Sequence, residues 1–196
     1  MYSPEDLIDE EYVMSTAVST QTSTWNIDPV HSTAQFKVKH MMISNVKGEF
    51  TKITGKLELD QSDITKSYVE AFIDATTINT REPDRDTHLK SADFLDVAKF
   101  PQLSFKSTQI SKNGEGELSV EGDLTMHGVT RKAVFEVEGP SAPTKDPWGN
   151  TRIGLSATTR VNRKDFGLNW NTLLEAGGIL VSEEVAISLD VEFVKA

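Results

Sequence analysis

Apolar and polar residues alternate along most of this chain, and the alternation restricts its fold to half-buried β-strands. Residues 34–40 read Ala-Gln-Phe-Lys-Val-Lys-His, and residues 117–126 repeat the pattern as Glu-Leu-Ser-Val-Glu-Gly-Asp-Leu-Thr-Met. Successive side chains of a strand point to opposite faces, so each segment has one apolar face and one wet face. About eight such segments follow Trp25, most of them joined by short polar connectors. The sequence therefore predicts an all-β, antiparallel protein.

The apolar faces of these strands must be buried together, either in a two-sheet sandwich or in a closed barrel. A barrel of ~8 strands can be filled by its own side chains or can hold one small ligand. Phenylalanines at inward positions favour a filled interior. Small inward residues favour a cavity, and they are Ala34, Gly55, Ala71, Ala75, Gly122 and Ala157. The alternation by itself leaves both interiors open.

Two connectors are long enough to cover the mouth of a barrel. Residues 80–101 contain a short helical stretch around residues 84–91, which Asp84 or Asp86 can cap. Residues 163–182 contain Trp170 and a Gly-Gly pair at 177–178. We therefore expect a short helix in a long connecting loop beside the open end of the barrel.

Composition excludes several classes of protein. The 196 residues include no cysteine, so a disulfide scaffold, a cysteine zinc site and a thiol nucleophile are excluded. The formal net charge of −10 argues against nucleic acid, because Lys and Arg supply the affinity for phosphates. No apolar run approaches the ~20 residues of a membrane span. We therefore expect no nucleic-acid partner and no stable membrane insertion.

The N-terminus is the most acidic part of the sequence. Residues 1–24 hold five carboxylates and no Lys or Arg, so they carry half of the net charge of −10. They lack the basic start and apolar stretch of a secretory signal, which predicts a cytoplasmic protein if this N-terminus is native and a periplasmic one if a signal was removed. We predict a flexible acidic, then Ser/Thr-rich, tail at 1–24 and a barrel domain at 25–196.

Several polar residues lie where the barrel would open. His40 continues the inward face of its strand, and His127 lies in a turn-like His-Gly-Val-Thr segment. In the helical connector, Arg81, Arg85 and His88 can converge on a phosphate or carboxylate, because arginine presents a planar fork of donors. The alternative is that the two arginines pair with acidic neighbours in the connector and that His88 only packs.

A second basic segment, residues 160–170, ends a strand with clustered cations and continues into an apolar loop. These cations can contribute to a functional site, or one of them can form a buried Arg–Asp pair that anchors the end of the strand. In the second case Trp170 fills the core. Motifs for a serine nucleophile elbow, a phosphate loop, a dinucleotide site or a helical zinc site do not occur. We therefore expect no catalytic residues, no metal and no cofactor.

Four ordered blocks resemble the YceI-like family, the polyisoprenoid-binding proteins of bacteria. They are WNIDPVHS at 25–32 with FKVKH at 36–40, RDTHL at 85–89 with DFLD at 93–96 and FP at 100–101, GDLTMHGVT at 122–130, and NRKDFG at 162–167. Together they span most of the chain in the family's order. One departure is Leu95, which stands where a second aromatic is expected and can alter the pocket wall.

The resemblance implies a lipocalin-like antiparallel β-barrel with a long hydrophobic cavity. It implies a soluble carrier of a long-chain isoprenoid, quinone or fatty-acyl ligand, with isoprenoid transport and stress response as its context and a homodimer as one assembly. The residues expected to line the cavity are Phe36, Val38, His40, Phe50, Leu57, Val69, Ile73, Leu103, Phe105, Leu124, Phe135, Leu155 and Trp170. The candidates for head-group binding are Arg81, Arg85 and His88.

The hydrophobic tail of such a ligand should dominate its affinity, because each buried CH₂ contributes ~0.8 kcal/mol. Two alternatives stay open at this point. One is an enzyme that acts on a lipid or quinone, with His40 or His88 as its acid–base group. The other is a stress-response partner protein whose barrel is filled by side chains.

Overall fold

The computed structural model describes residues 22–114, 116–174 and 178–196. Most of the predicted acidic tail therefore lies outside the described residues. The first strand begins at Thr22, three residues before the predicted start of the barrel domain. In the described parts of the chain, no helix has the length and apolarity needed to cross a bilayer.

Within these residues, twelve antiparallel strands and one α-helix carry the fold. The strands are β1 (Thr22–Ile27), β2 (Thr33–His40), β3 (Ser44–Phe50), β4 (Ile53–Asp60), β5 (Tyr68–Asp74), β6 (Ile78–Asn79), β7 (Gln102–Lys112), β8 (Glu117–Met126), β9 (Val129–Glu138), β10 (Thr144–Lys145), β11 (Thr151–Asn162) and β12 (Val181–Lys195). The helix α1 spans Pro83–Lys90, and 3₁₀ turns occur at Ile64–Lys66, Ala75–Thr77 and Arg163–Phe166.

Eight of the described strands form a closed ring in the order β1-β4-β5-β7-β8-β9-β11-β12. The ring closes because β12 pairs with β11 along most of its length, from Asn162 opposite Glu184 to Arg152 opposite Val194. It also pairs with β1, where Phe193 lies opposite Ile27. This closure confirms the predicted barrel and excludes the sandwich.

Three further strands lengthen one end of the ring, whereas β10 pairs with the start of β11. β2 pairs with the first half of β12, β3 pairs with β2, and β6 pairs with β3. The alternation predicted about eight strands, and the larger number arises because long strands are interrupted. Between β1 and β2 the interruption includes Pro29, which has no N–H to donate to a ladder.

The two ends of the barrel are packed differently. The end near the C-terminus is closed by buried apolar side chains, including Trp25, Ile53 and Phe193. The opposite end, the mouth, is covered by α1 and by residues 163–174 and 178–180. The mouth is therefore built from the two long connectors that the sequence singled out.

Helix α1 has a different cap from the one predicted. The prediction of Asp84 or Asp86 is wrong, because the Glu82 carboxylate accepts from the backbone N–H groups of Asp84 and Arg85, and Pro83 occupies the first helical position. Asp86 instead accepts from the backbone N–H and the hydroxyl of Thr80, which ties the helix to the end of β6.

An arginine holds the closed end together on its outer side. Arg152, at the start of β11, donates to Asp28, Asp146 and Glu192, which belong to three other segments. The hydrogen bonds from Arg152 and from His31 hold the pKa of the Asp28 carboxyl well below its usual range. The ionised Asp28 is therefore bound more strongly in the folded chain than the neutral acid.

Asp28→Asn should lower the free energy of unfolding at neutral pH, and this loss should shrink as the pH falls below about 4. A lowered folded pKa stabilises the fold above the unfolded pKa, and the stabilisation disappears as the pH falls through the lowered value. Urea unfolding of both proteins at a series of pH values measures the difference. A difference that stays constant down to about pH 2 would contradict the assignment.

Candidate functional site

The interior of the barrel contains an apolar cavity of about 340 Å³ behind the mouth, which we call the upper chamber. Its volume falls in the ~300–1,000 Å³ range of small-molecule sites. Ten of the thirteen residues predicted as cavity lining border it, namely Phe36, Val38, His40, Phe50, Ile73, Leu103, Phe105, Leu124, Phe135 and Trp170. Nine of them lie on strands between β2 and β9, and Trp170 lies in the connector between β11 and β12.

A second cavity of about 90 Å³, the lower chamber, lies toward the closed end. The other three predicted residues, Leu57, Val69 and Leu155, border this space. Phe105 and Phe135 border both chambers, with ring centroids 4.9 Å apart in a T-shaped contact. Ile53, Ala71 and Leu189 also border both chambers, and we call the ring pair the Phe105–Phe135 partition because it is the aromatic part of this boundary.

Small residues shape the interior in a way the sequence did not reveal. Gly122 on β8 leaves no void, because a Cβ at this position would overlap the Phe105 ring. Gly48 on β3 makes room for Phe36 in the same way. These glycines therefore seat two of the rings that form the chamber wall.

Three aromatic rings cluster at the mouth. His88 of α1 makes edge-on contacts with Phe94 and Trp170, at centroid distances of 5.0 and 4.8 Å. Its Nε2 lies 3.0 Å from a carboxylate oxygen of Asp93, which fixes the orientation of the ring. His88 and Trp170 both border the upper chamber, so this cluster forms one wall of its entrance.

The two arginines of the helical connector have different positions. Arg85 borders the upper chamber and donates from Nε to the Thr80 hydroxyl at 2.8 Å and from Nη2 to the Thr80 carbonyl at 2.9 Å. Arg81 is exposed, has a φ of 64° and does not border either chamber. The structure therefore brings Arg85 and His88 to the entrance but not Arg81.

Among the described residues, the two arginines do not pair with acidic residues of the connector, as the alternative interpretation required. Arg85 is held by Thr80, while Asp93 contacts His88 and Asp96 contacts Lys99. Arg85 thus reaches the chamber without a carboxylate partner in the described parts of the chain. A positive charge placed in this way suits an anionic group at the entrance.

Arg163 is a buried cation. In the sequence it belongs to the basic segment 160–170, and nothing there singles it out. Its side chain borders the upper chamber and the residue is 3% exposed. The alternative of a buried Arg–Asp pair is not what this side chain forms, because the guanidinium donates to the carbonyls of Leu168, Val181 and Ser182. Burial lowers the pKa of Arg163. Arg163 therefore ties the mouth loop, residues 163–174 and 178–180, to the first residues of β12.

A possible cation site lies away from both chambers. Ligand atoms of Asp28, His31 and Glu192 lie within 4.8 Å of one another. The Arg152 guanidinium already donates to Asp28 and Glu192, so the chain supplies the cation that balances these carboxylates. The sequence expectation that the protein holds no metal stays a prediction.

Comparisons with known proteins place this architecture in context. A family model described as a YceI-like domain matches residues 25–193. A UPF0312 protein of Vibrio cholerae is 39% identical over 158 residues, which cover 80% of this chain and 83% of the relative.

Two solved structures have a similar fold. The YCEI protein of Campylobacter jejuni is 26% identical, with a TM-score of 0.68 over 81% of this chain and 90% of that one. A polyisoprenoid binding domain from Saccharophagus degradans is 14% identical, with a TM-score of 0.63 over 90% of this chain and all of that one, and it shows the fold alone.

Arg163→Met should destabilise the fold by about 2–4 kcal/mol, because three carbonyls under the mouth loop lose a charged donor. Arg160→Met is the matched control. Arg160 lies on β11 three residues before Arg163, but its side chain is 69% exposed and pairs with Glu184. We expect a loss below about 1 kcal/mol for the control in urea unfolding. Equal losses for the two variants would contradict the anchoring role of Arg163.

Proposed function

Because this chain belongs to the YceI-like family, we propose that it is a carrier that holds the long hydrophobic chain of an isoprenoid or similar lipid inside its barrel. The observation that supports this most is the apolar upper chamber of about 340 Å³. In the proposed role the protein binds and releases its ligand without a catalytic step.

The chamber has the chemistry that a hydrocarbon chain requires. Its wall consists mainly of Phe, Leu, Ile and Val side chains of the inward strand faces. A chain that moves from water into this space gains ~0.8 kcal/mol per buried CH₂, which offsets the cost of ordering it. The description of the Saccharophagus degradans neighbour as a polyisoprenoid binding domain supports the same class of ligand.

The polar groups at the entrance support an amphipathic ligand. Arg85 and His88 border the chamber beside the aromatic cluster, and Arg163 lies deeper under the mouth loop. In our proposal the hydrocarbon tail lies inside the barrel and an anionic head group lies against Arg85. The predicted role of Arg81 in head-group binding is not supported by its exposed position.

Organic extraction of the purified chain followed by mass spectrometry tests the proposed function. We expect an isoprenoid or related long-chain lipid in the extract, or uptake of an added polyprenyl phosphate by the lipid-free protein. Repeated recovery of no lipid together with no uptake would overturn the carrier function and favour a barrel that is filled by its own side chains.

Arg85→Ala should lower the affinity for a polyprenyl phosphate about tenfold more than the affinity for a neutral quinone with a tail of equal length. The reason is that one charged hydrogen bond to the phosphate is lost. Arg81→Ala is the control, since it removes a cation from the same connector outside the chamber. Competition binding followed by native mass spectrometry measures both. Equal effects on the phosphate and the quinone would remove Arg85 from head-group binding.

Phe135→Val should shift ligand preference toward longer chains, because a smaller residue opens the Phe105–Phe135 partition and joins the lower chamber to the upper one. Each additional buried CH₂ should improve affinity by ~0.8 kcal/mol. Phe50→Val is the control, since Phe50 borders the upper chamber and not the lower one. The measurement is the chain length that each variant selects from a mixture of ligands with different tails. If both variants select the same length, the partition does not determine the length of the bound tail.

A further inference from the structure

The mouth of the barrel carries a concentration of exposed hydrophobic side chains. Seven large hydrophobic residues are exposed in the described parts of the chain, and four of them are Met41, Met42, Ile43 and Leu173. Ile43 and Leu173 are 83% and 82% exposed. Of the other three, Val30 and Trp148 lie in the turns whose carboxylates pair with Arg152 at the closed end, and Val134 lies on β9. Clustered exposed apolar residues mark interaction sites, whereas scattered ones need no explanation.

The hydrogen bonds of the backbone connect these residues to the entrance of the chamber. Met41 to Ile43 form the turn between β2 and β3, directly after His40, which borders the upper chamber. The N–H of Met41 donates to the Leu180 carbonyl at 2.8 Å, and the N–H of Leu180 donates to the Thr172 carbonyl at 3.0 Å. The turn and the loop that bears Leu173 therefore belong to one rim.

The backbone holds the turn in a conformation that bulky residues rarely adopt. Met41 and Met42 have φ values of 51° and 60°, in the left-handed region. Asn and Gly serve such turns at a lower steric cost. Two methionines therefore occupy positions where smaller residues would be more stable, and they present their side chains at the rim.

The hairpin behind this turn is basic, although the chain has a net charge of −10. Residues 37–47 contain Lys37, Lys39 and Lys47 and no Asp or Glu. All three lysines are exposed, and Lys37 lies directly opposite Lys47 in the β2–β3 ladder. Like charges opposite each other destabilise a sheet. On the other side of Lys37 the partner in β12 is Ala186, which supplies no compensating carboxylate.

Several acidic groups near the hairpin have partners of their own. Glu183 accepts from Lys164, and Glu184 accepts from Arg160. Across the entrance, Asp93 contacts His88 and Asp96 contacts Lys99. Glu49 lies on β3 two residues from Lys47, so within the described residues three lysines outnumber the one acid of the hairpin behind the apolar turn.

We propose that the β2–β3 hairpin docks the mouth of the barrel on an anionic lipid bilayer. Met41, Met42, Ile43 and Leu173 enter the boundary between head groups and acyl chains, and the three lysines face the lipid phosphates. An apolar tip with cations behind it matches a membrane surface, in which the acyl chains lie beneath a layer of charged head groups. This arrangement also places the chamber entrance where a hydrocarbon chain can move from the bilayer into the barrel without crossing water.

The test is flotation of the full chain with vesicles of equimolar phosphatidylcholine and phosphatidylglycerol. We expect binding that weakens with added salt and that is weaker on pure phosphatidylcholine vesicles. Ile43→Asp should weaken binding at least tenfold. Trp148→Asp is the matched control, because it also replaces an exposed hydrophobic residue by an acid, at 81% exposure and far from the mouth.

The lysines are tested separately with the double variant Lys37→Gln and Lys47→Gln. It should weaken binding to the anionic vesicles about tenfold and reduce its salt dependence. Absence of wild-type flotation, or equal losses for Ile43→Asp and Trp148→Asp, would overturn the proposal.

The docking proposal rests on the proposed carrier function. Two uptake measurements distinguish a failure of the first from a failure of the second. Ile43→Asp should take up a polyprenyl phosphate from a cyclodextrin complex like the wild type, but at least tenfold more slowly from the anionic vesicles. If the wild type takes up ligand from neither source, the carrier function is wrong. If Ile43→Asp and the wild type load from vesicles at equal rates, the docking role is wrong and the carrier function stands.

Discussion

The pairing of β12 with β11 closes the sheet, and the other features of the molecule depend on this closure. A closed ring of eight strands has no free edges, and it encloses an interior about wide enough for one layer of side chains or one small ligand. Whether space remains depends on the side chains that point inward. Here the closed end is filled by Trp25 and Phe193, while the opposite end keeps an apolar chamber.

The chamber joins three kinds of chemistry along one axis. At its floor, the Phe105–Phe135 partition divides it from the lower chamber. At its entrance, Arg85 and the His88 cluster provide positive charge and aromatic surface. Beyond the entrance, the β2–β3 hairpin adds an apolar tip with lysines behind it. In our account these zones serve the tail, the head group and the source membrane of one lipid ligand.

The sequence predicted the parts of this structure that follow from local pattern. Alternation gave the strands and their inward faces, and the residues around 84–91 formed a helix as expected. Positions set by long-range contacts could not be read in this way. Arg81 and Arg85 look equivalent in the sequence, but the tie between Asp86, Arg85 and Thr80 turns only Arg85 to the chamber. Arg163 found carbonyls of a distant strand rather than its neighbour Asp165.

Native mass spectrometry of the lipid-free chain mixed with one long-chain polyprenyl phosphate tests the central claim most directly. The account predicts a single adduct of one ligand per chain, and it predicts that a short-chain phosphate with the same head group does not displace it, because the buried tail supplies most of the affinity. No adduct, or equal competition by the short-chain phosphate, would contradict a cavity that holds the hydrocarbon chain of a lipid.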